Sequence, residues 1–196
     1  MRNSNENGNE NNKKNGNILL ENCKAEGLKS KLRHVMNFPK EGIDFIDITP
    51  VLLDPEAFGQ CLGCLKDKIA GFGDFDVIVG PESRGFIFGA PLAYVLNKGF
   101  APIRKKGKLP YKTISVQYEL EYGVDTFEIH EDAIQPGQKV VIVDDLLATG
   151  GTTVSNINLV ERLGGQVAGI VYFIELSFLE GRSKMKGYKV ESIVTF

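Results

Sequence analysis

Residues 140–153 read Val-Val-Ile-Val-Asp-Asp-Leu-Leu-Ala-Thr-Gly-Gly-Thr-Thr, and this stretch decides the fold. Val140, Val141, Ile142 and Val143 form an unbroken β-branched run. Such a run is the pattern of a strand buried on both faces of a parallel sheet. Asp144 and Asp145 follow where the strand is expected to emerge. Ala148-Thr149-Gly150-Gly151-Thr152-Thr153 then leads into an amphipathic segment, Val154 to Leu163. The order is strand, acidic pair, glycine–hydroxyl loop, helix.

Each part suits an anionic sugar. Gly150 and Gly151 let the backbone turn tightly and approach a ligand with no Cβ in the way. The N–H groups that open the next helix are unpaired and carry partial positive charge, so they favour a phosphate. Thr149, Thr152 and Thr153 add hydroxyl donors. Ionised Asp144 and Asp145 only accept hydrogen bonds, which suits neighbouring sugar hydroxyls or the hydration shell of Mg²⁺.

Working outward, strands alternate with helices. Pro55 to Gly71 reads as a helix with proline in its first turn, and Asp76 to Gly80 as a second buried strand. Pro81 to Gly85 is its βα loop, followed by a helix from Phe86 to Leu96 and a short strand from Ala101 to Arg104. Arg104, Lys105, Lys106, Lys108 and Lys112 form a cationic cluster at the sheet edge where α/β folds bind ligands. Segments near Ile114–Tyr118 and Thr126–Ile129 suit two hairpin strands carrying a mobile lid. Further strands are expected at Val167–Ile174 and Val190–Val194. The pattern gives an α/β, doubly wound parallel sheet. Near the N-terminus, Leu28, Leu32, Val35 and Met36 recur at helical spacing and predict a helix of about three turns.

With 196 residues and 42% hydrophobic content, the chain is long enough for one well-filled domain. Residues 1–17 are asparagine-rich and almost without apolar side chains, which predicts a disordered tail before a single domain over 18–196. The net charge of −2 gives no reason to expect nucleic acid as a partner. No apolar run approaches a membrane span and no signal peptide is evident, so a cytoplasmic location is expected. Of the three cysteines, Cys61 and Cys64 fall in a helical pattern and read as buried core thiols, not as a metal site.

The 140–153 stretch resembles the phosphoribosyl-diphosphate (PRPP) motif of the type I phosphoribosyltransferases. Glu82-Ser83-Arg84-Gly85-Phe86, Arg104 to Pro110 and Tyr118-Glu119-Leu120-Glu121-Tyr122-Gly123 resemble, in order, the other signature segments of the adenine phosphoribosyltransferases. The resemblance covers Phe38 to Arg182. It implies purine salvage: adenine and PRPP give AMP and pyrophosphate with Mg²⁺, in a homodimer. The 5′-phosphate falls to Ala148, Thr149, Gly150, Gly151 and Thr152. Pyrophosphate falls to Glu82, Ser83, Arg84, Arg104 and Lys105, with a cis peptide at Glu82–Ser83. The residues around 24–50 become a small hood over the base. Asp44 and Ile46 contact adenine through the backbone and Phe45 by stacking, with Leu146 and Arg84 beside them. Arg84 has two options, a phosphate oxygen or the purine face. Glu121, on the lid, becomes the proton donor to the purine, and Asp144 and Asp145 join it and Arg84 as catalytic groups. Mg²⁺ is implied to be held indirectly through PRPP, with Asp144 as the candidate protein ligand. One departure is Ile46, where the family often has arginine; a backbone contact survives that change.

Two other readings use the same fold. A 6-oxopurine or orotate enzyme differs in the wiring of its base pocket. A PRPP-sensing regulator needs a nucleic-acid-binding surface, and this chain shows no added domain or broad basic face. The absence of GxxxxGK[ST] excludes a P-loop NTPase.

Overall fold

The computed structural model describes residues 25–120 and 123–196, with side chains outside 118–125. The expectations for the tail and for Glu121 fall outside the described residues.

The predicted central strand is β7 (Lys139–Leu147), in the interior of a seven-stranded sheet ordered β5-β6-β4-β3-β7-β8-β9. β3 (Val77–Pro81), β4 (Gly99–Lys105), β7, β8 (Gln166–Glu175) and β9 (Val190–Thr195) run parallel. The hairpin β5 (Thr113–Leu120) and β6 (Gly123–His130) joins antiparallel through Arg104↔Glu128 and Lys105↔Phe127. Its strands are longer than the sequence pattern suggested.

Strand alternation places neighbouring β7 side chains on opposite faces. Val141 and Val143 pack with α3 (Pro55–Ala70) and α4 (Arg84–Val95), while Val140 and Ile142 pack with α5 (Gly151–Arg162). All four side chains are fully buried, which explains the unbroken apolar run. The strand also runs further than expected. Asp144 pairs with Tyr172 and Leu147 with Glu175, so both aspartates lie on the strand and not after it.

Local sequence accounts for the helix ends. Asp54 caps α3 by accepting from the N–H groups of Glu56 (3.0 Å) and Ala57 (3.1 Å), and Pro55 occupies the first turn. α4 starts at Arg84, two residues before the predicted start, so Arg84 sits on a rigid element.

The N-terminal helix is shorter than predicted. α1 (Ala25–Lys31) buries Leu28, but Val35 and Met36 belong to β1 (Arg33–Met36). β1 pairs antiparallel with β2 (Asp44–Asp47) around a cis Phe38–Pro39 bond, and α2 (Thr49–Leu53) follows. Turn chemistry overrode a weak helical period there: Asn37 has φ of 61° and its side chain accepts from the Gly42 N–H at 2.9 Å. This two-stranded hood is tied to the chain's end, where Lys29 donates to Thr195 O and His34 packs edge-on against Phe196. Cys61 is a buried free thiol whose pKa burial pushes up. Cys64 is disulfide-bonded, against the expectation of two free thiols. Among the described residues no helix is long and apolar enough to cross a membrane.

Candidate active site

The carboxyl ends of β3, β4 and β7 open onto a cleft of about 290 Å³. Its lining gathers four separated segments: Pro81–Arg84, Lys105, Phe127, and Asp144 through Thr153. Open parallel sheets bind ligands at this edge.

The Ala148–Thr153 loop has the expected local form. Gly150 is the N-cap of α5 with φ of +79°, and no side chain caps the helix. The first helical bond runs from Val154 N–H to Gly150 O at 3.1 Å. The N–H groups of Gly151, Thr152 and Thr153 therefore have no partner among the described residues and face an open cleft. A Cβ built at Gly151 meets nothing within 4 Å, so that position borders the open space of the cleft.

Asp145 is buried, with 3% of its surface exposed, and Asp144 is partly exposed. Asp144 Oδ1 accepts the Asp145 N–H at 2.8 Å. Arg84 Nε stands 3.0 Å from Asp145 Oδ2, an ion pair by distance. Its angle is not that of a hydrogen bond, and Asp145 Oδ2 is a buried acceptor left without one. Burial, then the neighbouring Asp145 charge, raises the Asp144 pKa well above the usual carboxylate range. Burial also raises that of Asp145, with Arg84 opposing. One guanidinium thus faces two carboxyl groups, an arrangement common where a site must receive a polar ligand.

On the next segment, Glu82 and Ser83 are joined by the expected cis peptide bond. The Glu82 N–H donates to Ile103 O at 2.8 Å, leaving the Ser83 N–H without a partner among the described residues. The Glu82 carboxylate does not face the cleft as an isolated charge. It takes Arg104 Nε at 2.8 Å, Lys108 Nζ at 3.0 Å and the Lys105 N–H at 3.0 Å. Burial alone would raise its pKa, but these donors, Lys108 foremost, hold it below the usual range. Lys105 lines the cleft, whereas Arg104 is turned onto Glu82 and the Lys108 carbonyl.

A second, more apolar pocket of about 270 Å³ adjoins the first through Arg84. Phe45, Asp47, Ile48, Thr49, Leu52 and Ile87 complete its lining. Phe45 meets Phe38 edge-on at 5.2 Å, and the Arg84 guanidinium lies 5.7 Å from the Phe45 ring. Of the predicted base contacts, Phe45 and Arg84 line this pocket and Leu146 lines the cleft. The Asp44 carboxylate is turned to His34 at 2.7 Å, and the Ile46 side chain is buried in the core. Both were expected to act through the backbone, which their side-chain positions leave open. Asp47, Ile48, Thr49, Leu52 and Ile87 were not singled out from sequence.

Comparison with known proteins agrees with this geometry. Residues 53–195 match the family model of the phosphoribosyl transferase domain. The chain is 72% identical over 169 residues to the adenine phosphoribosyltransferase of Acetivibrio thermocellus, covering 86% of this chain and 99% of that one. It is 71% identical, with the same coverage, to that of Ruminiclostridium cellulolyticum. The crystal structure of the Thermoanaerobacter pseudethanolicus adenine phosphoribosyltransferase superposes with a TM-score of 0.86 at 54% identity, covering 88% of this chain and all of that one. The Saccharomyces cerevisiae enzyme, crystallised with adenine and an imino-altritol bisphosphate, gives 0.82 at 42% identity, covering 86% of this chain and 97% of that one.

Proposed function

The chain belongs to the adenine phosphoribosyltransferase family, and from that membership we propose how its residues perform the transfer. It is a purine salvage transferase that moves the phosphoribosyl group of PRPP to adenine, giving AMP and pyrophosphate. The assignment of residues rests above all on Asp145 Oδ2, a buried acceptor without a hydrogen bond that lines the cleft beside Arg84, the residue the two pockets share.

The 5′-phosphate sits on the N–H groups that open α5, with Ala148 to Thr152 as its cradle. Asp145 and Asp144 accept the ribose hydroxyls. Once bound, those hydroxyls supply the hydrogen bonds that burial denies the pair. Breaking the C1–O bond builds positive charge on the ribose and negative charge on the departing pyrophosphate. The acidic pair lies beside the first charge. Lys105, Arg104, Arg84 and the Ser83 N–H receive the second. Phe45 stacks on adenine, and Arg84 closes the pocket from below. Adenine gives up its N9 proton to solvent as N9 attacks C1, and Glu121, donating a hydrogen bond to N7, relieves the negative charge that builds on the ring, a role carried by its Tyr-Glu-Leu-Glu-Tyr-Gly context.

Among the described residues no group of three or more His, Cys, Asp or Glu side chains could hold a metal ion. That donor set fits Mg²⁺ carried mainly by PRPP oxygens, with Asp144 as the protein's contribution. Bound there, Mg²⁺ supplies a counter-charge to the leaving group. The proposal extends to a cytoplasmic homodimer. Exposed Leu53 and Tyr94 offer apolar surface for a partner, and the chain's chemistry draws on intracellular nucleotide precursors.

The test is pyrophosphate release from PRPP–Mg²⁺ with adenine, hypoxanthine, guanine or orotate. Adenine is expected to lead hypoxanthine by at least roughly three orders of magnitude in kcat/KM, because a wrongly wired base leaves buried groups unpaired. Hypoxanthine within tenfold of adenine would overturn the base assignment.

A further inference from the structure

Gly181 and Arg182 open a 3₁₀ turn (Gly181–Met185) that lies between β8 and β9 and contributes no residue to the cleft lining. The turn presses on the phosphate loop. A Cβ at Gly181 would stand 2.0 Å from Ala148 O and 3.0 Å from Gly150 N. Reciprocally, a Cβ at Gly150 would stand 2.7 Å from Gly181 O. Two glycines therefore meet backbone to backbone, and neither admits a side chain unless the loop moves.

The turn itself is held from three sides. Arg182 Nε and Nη2 both donate to the Glu175 carboxylate, and Nη1 donates to Val190 O. Ser192 Oγ donates to the same carboxylate at 2.7 Å. These contacts fix Arg182 to the ends of β8 and β9 with a paired, geometrically specific bond. At the far end, Thr153 Oγ1 lies 2.5 Å from Tyr172 Oη, which donates to Met185 Sδ at 3.6 Å. The first turn of α5 and the 3₁₀ turn are thus linked through one buried tyrosine.

We propose that the Gly181–Arg182 turn is a positioning element for the 5′-phosphate, a backstop that sets where the Ala148–Thr153 loop aims its N–H groups. The proposal rests on the phosphate-loop reading above. Its residues touch no substrate and act through the loop alone. A set of N–H donors is effective only when aimed within a fraction of an ångström, and a displacement of about 1 Å can cost about a hundredfold.

The experiment compares four variants of the full chain by PRPP–Mg²⁺ titration, steady-state kinetics and thermal melting. Gly181→Ala and Arg182→Lys are expected to raise Kd and KM for PRPP, Gly181→Ala by about tenfold or more, with adenine KM unchanged. Arg182→Lys keeps the charge but loses the paired bond, and it serves if Gly181→Ala fails to fold. Gly187→Ala strains the same connection at φ +96° where nothing lies within 4 Å. It should lower Tm while leaving PRPP affinity alone. Gly151→Val fills open ligand space and should abolish PRPP binding in a folded protein. If Gly151→Val binds PRPP normally, the phosphate-loop reading fails. If it does not, yet Gly181→Ala or Arg182→Lys binds PRPP like the wild type, the backstop fails on its own. Equal losses of Tm and of PRPP affinity in Gly181→Ala and Gly187→Ala would also overturn it.

Discussion

Replacing Asp144 with asparagine should make the ligand-free protein more stable and the enzyme worse. Asparagine keeps the shape and the acceptor that takes the Asp145 N–H at 2.8 Å. What it removes is a charge. Two carboxyl groups share the cleft floor with one guanidinium, which stands 3.0 Å from Asp145 and not from Asp144. Burial and then the Asp145 charge raise the Asp144 pKa, so its ionisation at neutral pH works against folding. The folded state holds a proton more tightly than the unfolded chain. Wild-type stability is therefore greatest below the usual carboxylate range and declines as pH rises through the higher folded-state pKa. Removing the group should raise stability by about 1 kcal/mol at pH 7, or roughly 2–4 °C in Tm for a chain of this size. The gain should shrink as the pH falls toward about 4, where the wild-type carboxyl is neutral as well. Binding should move the other way. Losing hydrogen bonds between a charged acceptor and a ribose hydroxyl costs about 1.5–3 kcal/mol, or roughly 10- to 150-fold in PRPP affinity. Thermal scans of the ligand-free protein between pH 4 and 8, with calorimetric titration of PRPP–Mg²⁺, measure both arms. A lower Tm at pH 7, or a gain independent of pH, would refute the electrostatic account. Unchanged PRPP affinity would remove Asp144 from the site.

Glu82→Gln should raise KM for PRPP, because Arg104 and Lys108 lose the carboxylate that gathers them. Its wild-type pKa is depressed, so the stability lost in this variant should be present above the ordinary glutamate range and vanish as pH falls below it, as followed by acid unfolding. Phe45→Ala should raise adenine KM by about tenfold while leaving PRPP binding intact, since one aromatic face is worth about 1–3 kcal/mol to a stacked base; equal effects on both substrates would place the ring elsewhere. Glu121→Ala should lower single-turnover kcat by roughly 10²–10³ with PRPP affinity nearly unchanged, while Glu119→Ala does much less; small, equal losses in the two would show that no acid is needed there.

What was legible in the sequence was what one segment decides for itself. The run from Val140 to Val143 is apolar at every position because α3 and α4 cover one face of β7 and α5 the other. Gly150 is glycine because its φ is +79° and its neighbour is the Gly181 carbonyl. The first of these reasons is local and the second is not, yet both leave the same letter. The misread element shows the reverse. Val35 and Met36 fit a helical period with Leu28 and Leu32, but a turn at Asn37 to Gly42 recruits them into a hairpin with Asp44 and Phe45. A spacing of four apolar residues is weak evidence against a turn that fixes its own register.

The pairings that give the site its electrostatics were hidden for a related reason. Glu82 reads in sequence as one member of a phosphate loop, and Arg104 and Lys108 as members of a cationic run. Only the parallel pairing of β3 with β4 brings both cations within 3.0 Å of the Glu82 carboxylate. That pairing changes their chemistry. Left alone, a buried carboxylate beside a pyrophosphate would repel it, and a cluster of free cations would bind any anion. Held together, the cations are partly neutralised and fixed in place until a more highly charged group competes for them. Pyrophosphate bound in the cleft as proposed carries more negative charge than one carboxylate, so it should draw Arg104 and Lys108 from Glu82 toward Lys105, which already lines the cleft. A single orthophosphate offers fewer oxygens and less charge for the same exchange. The proposed pyrophosphate role therefore predicts that the Glu82 brace favours pyrophosphate over orthophosphate, which competition titration of the two anions measures; equal affinities in the wild type would refute the brace.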